Sequence, residues 1–154
     1  MKLKKLPSNF FRSKRKLGFL ALIFLALTSC QRNNPDWVPA YPVDVFISLD
    51  DPTFLKLKNF GGAATLQPSY GGKGIVVYRN GPESFSAVER TCSYRYTDSC
   101  ARVNISSDEI WLECPCCGSR FTFDGQVLNA PASLPLRTYQ TSYSPTNNTL
   151  RIYQ

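Results

Sequence analysis

Six consecutive residues, Cys114-Pro115-Cys116-Cys117-Gly118-Ser119, constrain this 154-residue chain more than any other stretch. Three cysteines in four positions, with a proline and a glycine to set the loop, are too concentrated for ordinary core packing. Cys114 and Cys117 have the spacing that lets two thiolates from one loop reach a single metal centre. Cys116 and Cys117 are adjacent, and a bond between neighbours is badly strained, so each calls for a distant partner. An earlier loop, Cys92–Cys100, offers a cysteine at each of its ends. Two cysteine-bearing loops meeting at one tip is the expected organisation.

The length suits one domain with a real core. The net charge of +7 is misleading, because seven basic residues and no acid fall within residues 1–29. From Cys30 onward eleven basic and eleven acidic side chains cancel. The basic balance therefore gives no reason to expect nucleic-acid binding. Residues 1–29 read as a signal peptide: a basic start, then the apolar run Leu17–Leu27, too short for a bilayer that needs about 20 apolar residues. Leu27-Thr28-Ser29-Cys30 resembles the bacterial lipoprotein lipobox, which implies lipidation of Cys30 and a membrane-anchored rather than membrane-spanning protein. By the same resemblance, Gln31 rather than Asp after that cysteine implies delivery to the outer membrane if the cell envelope is Gram-negative. Ser13-Lys14-Arg15-Lys16-Leu17 weakly resembles a twin-arginine export signal, although a plain basic start explains it better.

Residues 30–42 are polar and proline-rich and read as a tether, leaving 43–154 as the domain. Val43–Leu49 alternates apolar and polar as a half-buried strand does. Phe54–Lys58 shows a second, shorter alternation after the break at Asp50-Asp51-Pro52. Gly61-Gly62 and Gly71-Gly72 read as turn punctuation. Gly74–Arg79 is a continuous apolar run expected at the centre of a sheet, joined through the hairpin signal Asn80-Gly81 to Phe85–Arg90. Arg102–Ser106 with Ile110–Glu113, and Phe121–Phe123 with Gln126–Leu128, form two further hairpins. Arg137–Tyr143 and Thr149–Tyr153 close the chain. No segment after the signal sustains helical periodicity, so the fold class is all-β, built of eight to ten short strands.

The order of strand, cysteine loop, hairpin, second cysteine loop, Gly118-Ser119, aromatic strand, Asp124-Gly125 turn and proline loop Ala130-Pro131-Ala132 resembles the Rieske iron–sulfur domain. That family carries a Cys-x-His box followed by a cysteine, and a Cys-Pro-Cys-His-Gly-Ser box. One cysteine from each box binds one iron of a [2Fe-2S] cluster, and the two histidines bind the other. The resemblance places Cys92 and Cys114 at the thiolate ligands and Cys116 at the disulfide cysteine, with Cys100 as its partner. The Cys92–Cys100 loop is longer than the family's. Tyr94 and Cys117 stand where the histidines should be, and the chain contains no histidine. Anionic ligands in place of neutral imidazoles imply a lowered reduction potential.

Three readings follow. In the first, Cys92, Cys114, Cys117 and Tyr94 hold a [2Fe-2S] cluster, and the domain passes electrons to a redox partner protein without catalysis of its own. In the second, a degenerate Rieske fold has lost the cluster and is a disulfide-stapled binding or assembly module of the envelope. In the third, Cys92, Cys100, Cys114 and Cys117 hold structural zinc. Glu89, Asp98, Glu109 and Glu113 form no recognisable catalytic pair and read as solvated strand and loop ends. The absence of histidine removes hydrolases built on Ser-His or Cys-His pairs, so no catalytic residue is assigned.

Overall fold

The computed structural model describes residues 38–154. The expected signal peptide, the Cys30 lipidation site and the tether as far as residue 37 lie outside the described residues. The described residues, 38–154, form one compact unit. Its start is docked rather than loose: Val38 is buried, and its carbonyl accepts hydrogen bonds from Arg137 Nε (3.0 Å) and Nη2 (2.6 Å).

Ten antiparallel strands make two sheets, so the all-β class holds. The larger has the order β1-β10-β9-β4-β3-β2, from β1 (Asp44–Ser48), β2 (Ala63–Leu66), β3 (Ile75–Arg79), β4 (Phe85–Glu89), β9 (Thr138–Ser144) and β10 (Thr149–Tyr153). The smaller has the order β5-β6-β7-β8, from β5 (Asn104–Ile105), β6 (Leu112–Glu113), β7 (Arg120–Phe121) and β8 (Val127–Asn129). The alternation of β1 is read out as expected, with Val45 and Ile47 inward and Asp44 and Ser48 outward. Phe46 is 64% exposed, but its cross-strand partner Arg151 holds a guanidinium 5.4 Å above the ring.

β3 explains its own unbroken apolar run. Ile75 and Val77 enter a core lined by Val45, Ile47, Leu150 and Ile152. Val76 points the other way, into a second core with Val88, Val103, Leu112, Phe121 and Leu136. A strand with apolar packing on both faces has no polar positions to alternate with. The second core also takes in Cys92 and Cys114, so the cysteine loops are rooted in it.

One local expectation changes. Phe54–Lys58 is not a strand: Pro52–Lys58 is a 3₁₀ helix, with Asp51 as its cap accepting the Thr53 N–H at 2.8 Å and Pro52 in its first turn. Phe54 and Leu57 are three residues apart, which puts them on one face of a helix with three residues per turn. Over five residues that pattern imitates strand alternation. The β3–β4 connection is longer than Asn80-Gly81 alone, since Arg79 pairs with Phe85 and the N–H groups of Asn80 and Gly81 both donate to Ser84 O.

Candidate metal centre

The first cysteine loop leaves the end of β4 and is pinched at its neck. Thr91 bridges to Arg102, and the Cys92 N–H donates to Ala101 O at 3.0 Å. The second loop connects β6 to β7 and is a tight turn. Cys114 N–H donates to Ser119 O (2.9 Å), while Gly118 N–H (2.8 Å) and Cys117 N–H (3.3 Å) both donate to Cys114 O. Gly118 has φ +79°, a region that costs other L-residues roughly 1–2 kcal/mol, which accounts for a glycine directly after Cys117.

A disulfide joins the loops, Cys100 to Cys116, with S–S 2.01 Å and Cα–Cα 5.4 Å. The other three cysteines converge beside it. The sulfurs of Cys92, Cys114 and Cys117 all lie within 4.8 Å of one another, and Cys92 Sγ is 3.7 Å from Cys117 Sγ. Cys92 and Cys114 are buried and Cys117 is partly exposed, so the site has an inner floor and an outer rim. Tyr94, two residues beyond Cys92, is 38% exposed, and it is its backbone N–H that bonds the Cys92 sulfur. Cys100, a ligand in the zinc reading, is committed to the disulfide instead.

The proline loop covers a third side and is bonded to both cysteine loops. Ala132 N–H donates to the buried Ser119 Oγ (2.8 Å), and Ser93 Oγ donates to Leu134 O (2.5 Å). The Ser119 hydroxyl also lies 3.2 Å from Cys117 Sγ.

These surroundings divide the thiols electrostatically. Burial pushes the Cys92 thiol far up, and the neighbouring Cys114 and Cys117 push it further against the pull of the Tyr94 N–H. Burial also raises Cys117, but hydrogen bonds from the Ser119 hydroxyl and N–H and from Cys114 and Cys92 outweigh it, holding this thiol below its ordinary value. Between Cys92 and Cys117, the outer sulfur is therefore the one favoured as a thiolate, the form that binds metal.

A group that sequence reasoning placed in solvent proves to be structural. Glu89 is fully buried, and its carboxyl accepts five hydrogen bonds: from Gly72 N–H (2.9 Å), Lys73 N–H (2.8 Å), Thr91 N–H (3.0 Å), Thr91 Oγ1 (2.7 Å) and Tyr139 OH (2.6 Å). Gly71-Gly72 is the cradle that wraps it, more than turn punctuation: a Cβ on Gly71 would come within 2.5 Å of Glu89 Oε2. The available signals were an acid inside an otherwise apolar strand and a Gly-Gly-Lys run.

The model of the Rieske [2Fe-2S] domain family matches residues 55–140, more than half of the chain and all five of the cysteines just described. The chain belongs to the Rieske [2Fe-2S] domain family. Among solved structures, it is similar to the plasma membrane Rieske protein PetC3 of the cyanobacterium Synechocystis PCC 6803. That match has 30% identity and a TM-score of 0.53, over 71% of this chain and 99% of that one. A chain from a hyperthermophilic respiratory Complex III also matches, at 17% identity and a TM-score of 0.48 over 94% of this chain and 99% of that one. Comparison with curated proteins finds no match. The Rieske fold thus stands with the Cys100–Cys116 disulfide in place, in a chain that contains no histidine.

Proposed function

We propose that this protein is a one-electron carrier of the bacterial cell envelope, anchored by a lipid on Cys30 and delivering electrons to or from a partner protein at its cysteine tip. The observation that carries the reading is the convergence of three unpaired cysteine sulfurs within 4.8 Å, on a Rieske fold, beside a disulfide that occupies the other two cysteines of the domain. The donor set fits an iron–sulfur centre, because thiolates are ligands of iron and two of the three are shielded from water. In this reading Cys92 and Cys114 hold one iron of a [2Fe-2S] cluster, and Cys117 with Tyr94 holds the other. Such a cluster supplies a reversible one-electron couple. The chain's own part is to keep water from the inner sulfurs, to stabilise the Cys117 thiolate through Ser119, and to present the outer edge for docking. No bond-making step is asked of the domain.

The test measures iron, acid-labile sulfide and zinc in anaerobically purified protein, with low-temperature EPR after dithionite. Two irons and two sulfides per chain, and a reduced-state signal abolished in Cys92→Ala and Cys114→Ala, support the cluster. A Tyr94→Phe variant that leaves the signal unchanged removes Tyr94 from the ligand set. The 3.7 Å approach of the Cys92 and Cys117 sulfurs favours a second reading, in which they close to a second disulfide and the domain is a cluster-free binding module. Iron-free native protein with a Cys92–Cys117 bond in peptide mapping selects that alternative.

A further inference from the structure

Lys73 lies outside both cysteine loops, yet its side chain is the internal support of the first. Its Nζ donates to Tyr96 O (3.2 Å), Ala101 O (3.0 Å) and Asp98 O. An ammonium has three donors, and here two find carbonyls between Cys92 and Cys100 and the third finds that of Ala101, at the loop's neck. Ala101 O is also the acceptor of the Cys92 N–H, so a single carbonyl separates the ammonium from the backbone of a ligand cysteine. Three carbonyl oxygens turned toward one point repel each other unless a cation sits among them.

The base of the lysine is fixed as firmly as its tip. Its N–H is bound to Glu89 Oε1, and the preceding Gly72 N–H to Glu89 Oε2. Glu89 is in turn held by Thr91 and Tyr139. A path of hydrogen bonds therefore runs from β9 through Glu89 and Lys73 into the loop, and separately from Glu89 to Thr91, the residue next to Cys92.

We propose that Lys73 is a positioning residue of the metal centre: its ammonium holds the first cysteine loop closed so that Cys92 meets Cys114 and Cys117, and keeps a fixed positive charge behind the thiolates. The inference rests on the metal reading above for the second half of its claim only.

The experiment compares wild type with Lys73→Met, Lys73→Arg and the exposed control Lys58→Met as full chains. Readings are taken well below the melting temperature of each. Lys73→Met keeps the backbone bond to Glu89 and the aliphatic stem, so the core under the loop is preserved. Reduced, metal-free protein is titrated with Co²⁺, and the rate of Cys92 alkylation by iodoacetamide is followed by peptide mass. Lys73→Met is expected to lose about 10–100-fold in Co²⁺ affinity, the usual effect of removing a group that orients a ligand. Its Cys92 should alkylate faster, and the midpoint potential of the iron-loaded protein should fall. Lys73→Arg keeps the charge but spreads it over a flat fork that cannot place one nitrogen among three carbonyls. It should restore the potential and only part of the affinity. Lys58→Met should match wild type throughout.

Wild-type affinity, alkylation rate and potential in Lys73→Met, even with a lower melting temperature, overturn the proposal. Should Lys73→Met not fold, Lys73→Gln, which retains a donor, takes its place under the same criteria. If wild type takes up neither Co²⁺ nor iron, the metal reading fails, and Cys92 alkylation alone decides whether Lys73 holds the loop.

Discussion

Glu89 shows how much of this site rests on single atoms. All five of its partners are donors, so Glu89→Gln turns an amide NH₂ toward groups that also donate and leaves at least one without an acceptor. The expected cost is about 1–3 kcal/mol in denaturant unfolding. Tyr139→Phe removes one donor and leaves the rest of the carboxyl bonded, so its loss should be smaller, about 1 kcal/mol. A glutamate at the end of an apolar strand reads naturally as solvated. What overrides that reading is a loop 16 residues upstream and a tyrosine 50 residues downstream, neither of which is adjacent in sequence. Cys117 was easier to single out, because its neighbours Cys114, Gly118 and Ser119 are the ones that shape it.

Elements with a strong local cause were legible and those with a weak one were not. The hairpin between β5 and β6 pairs in regular antiparallel register, and the one around Asp124-Gly125 forms with a register shift between Arg120 and Phe121. The 3₁₀ helix was missed although Asp51-Pro52 is a start signal, since five residues of apolar spacing fit period two and period three alike. Asp51→Ala should lower the melting temperature through loss of the cap, a deficit read by thermal melting. The paired loops depend on their covalent link. Cys100→Ser with Cys116→Ser opens a bridge between residues 16 apart and should cost about 3 kcal/mol in urea unfolding, while wild type treated with reductant should approach the variant.

At the scale of the molecule, stability should be bounded at both ends of the pH range. Hydrogen bonds lower the carboxyl groups of Asp44 (from Arg151), Asp50 (from Lys58) and Asp51 (from the Thr53 backbone) below their ordinary values. Groups lowered in the folded state contribute stability that is present above the unfolded value of about 3.9 and lost as pH falls through their folded values. Burial, followed by the bond to Glu89, raises Tyr139. That contribution is complete below about pH 10, the unfolded tyrosine value, and disappears as pH rises toward the folded one. A plateau between those limits, with losses outside it in pH-dependent denaturant melts, is the expected profile. Added salt should blunt the acid limb, whose ion pairs are exposed, and leave the alkaline limb, which is buried.

The sequence alone determined the all-β class, the two cysteine loops, and the break with the family's histidine ligands, because each is written in neighbouring residues or in composition. The Cys100–Cys116 pairing followed from family resemblance. Which thiols are inner and which outer, the course of residues 38–42 over the domain, and the Lys73–Glu89 support were decided only by tertiary structure. Each of these is a contact between segments far apart in the chain, and its strength comes from the exclusion of water on folding, which no local pattern of residues records.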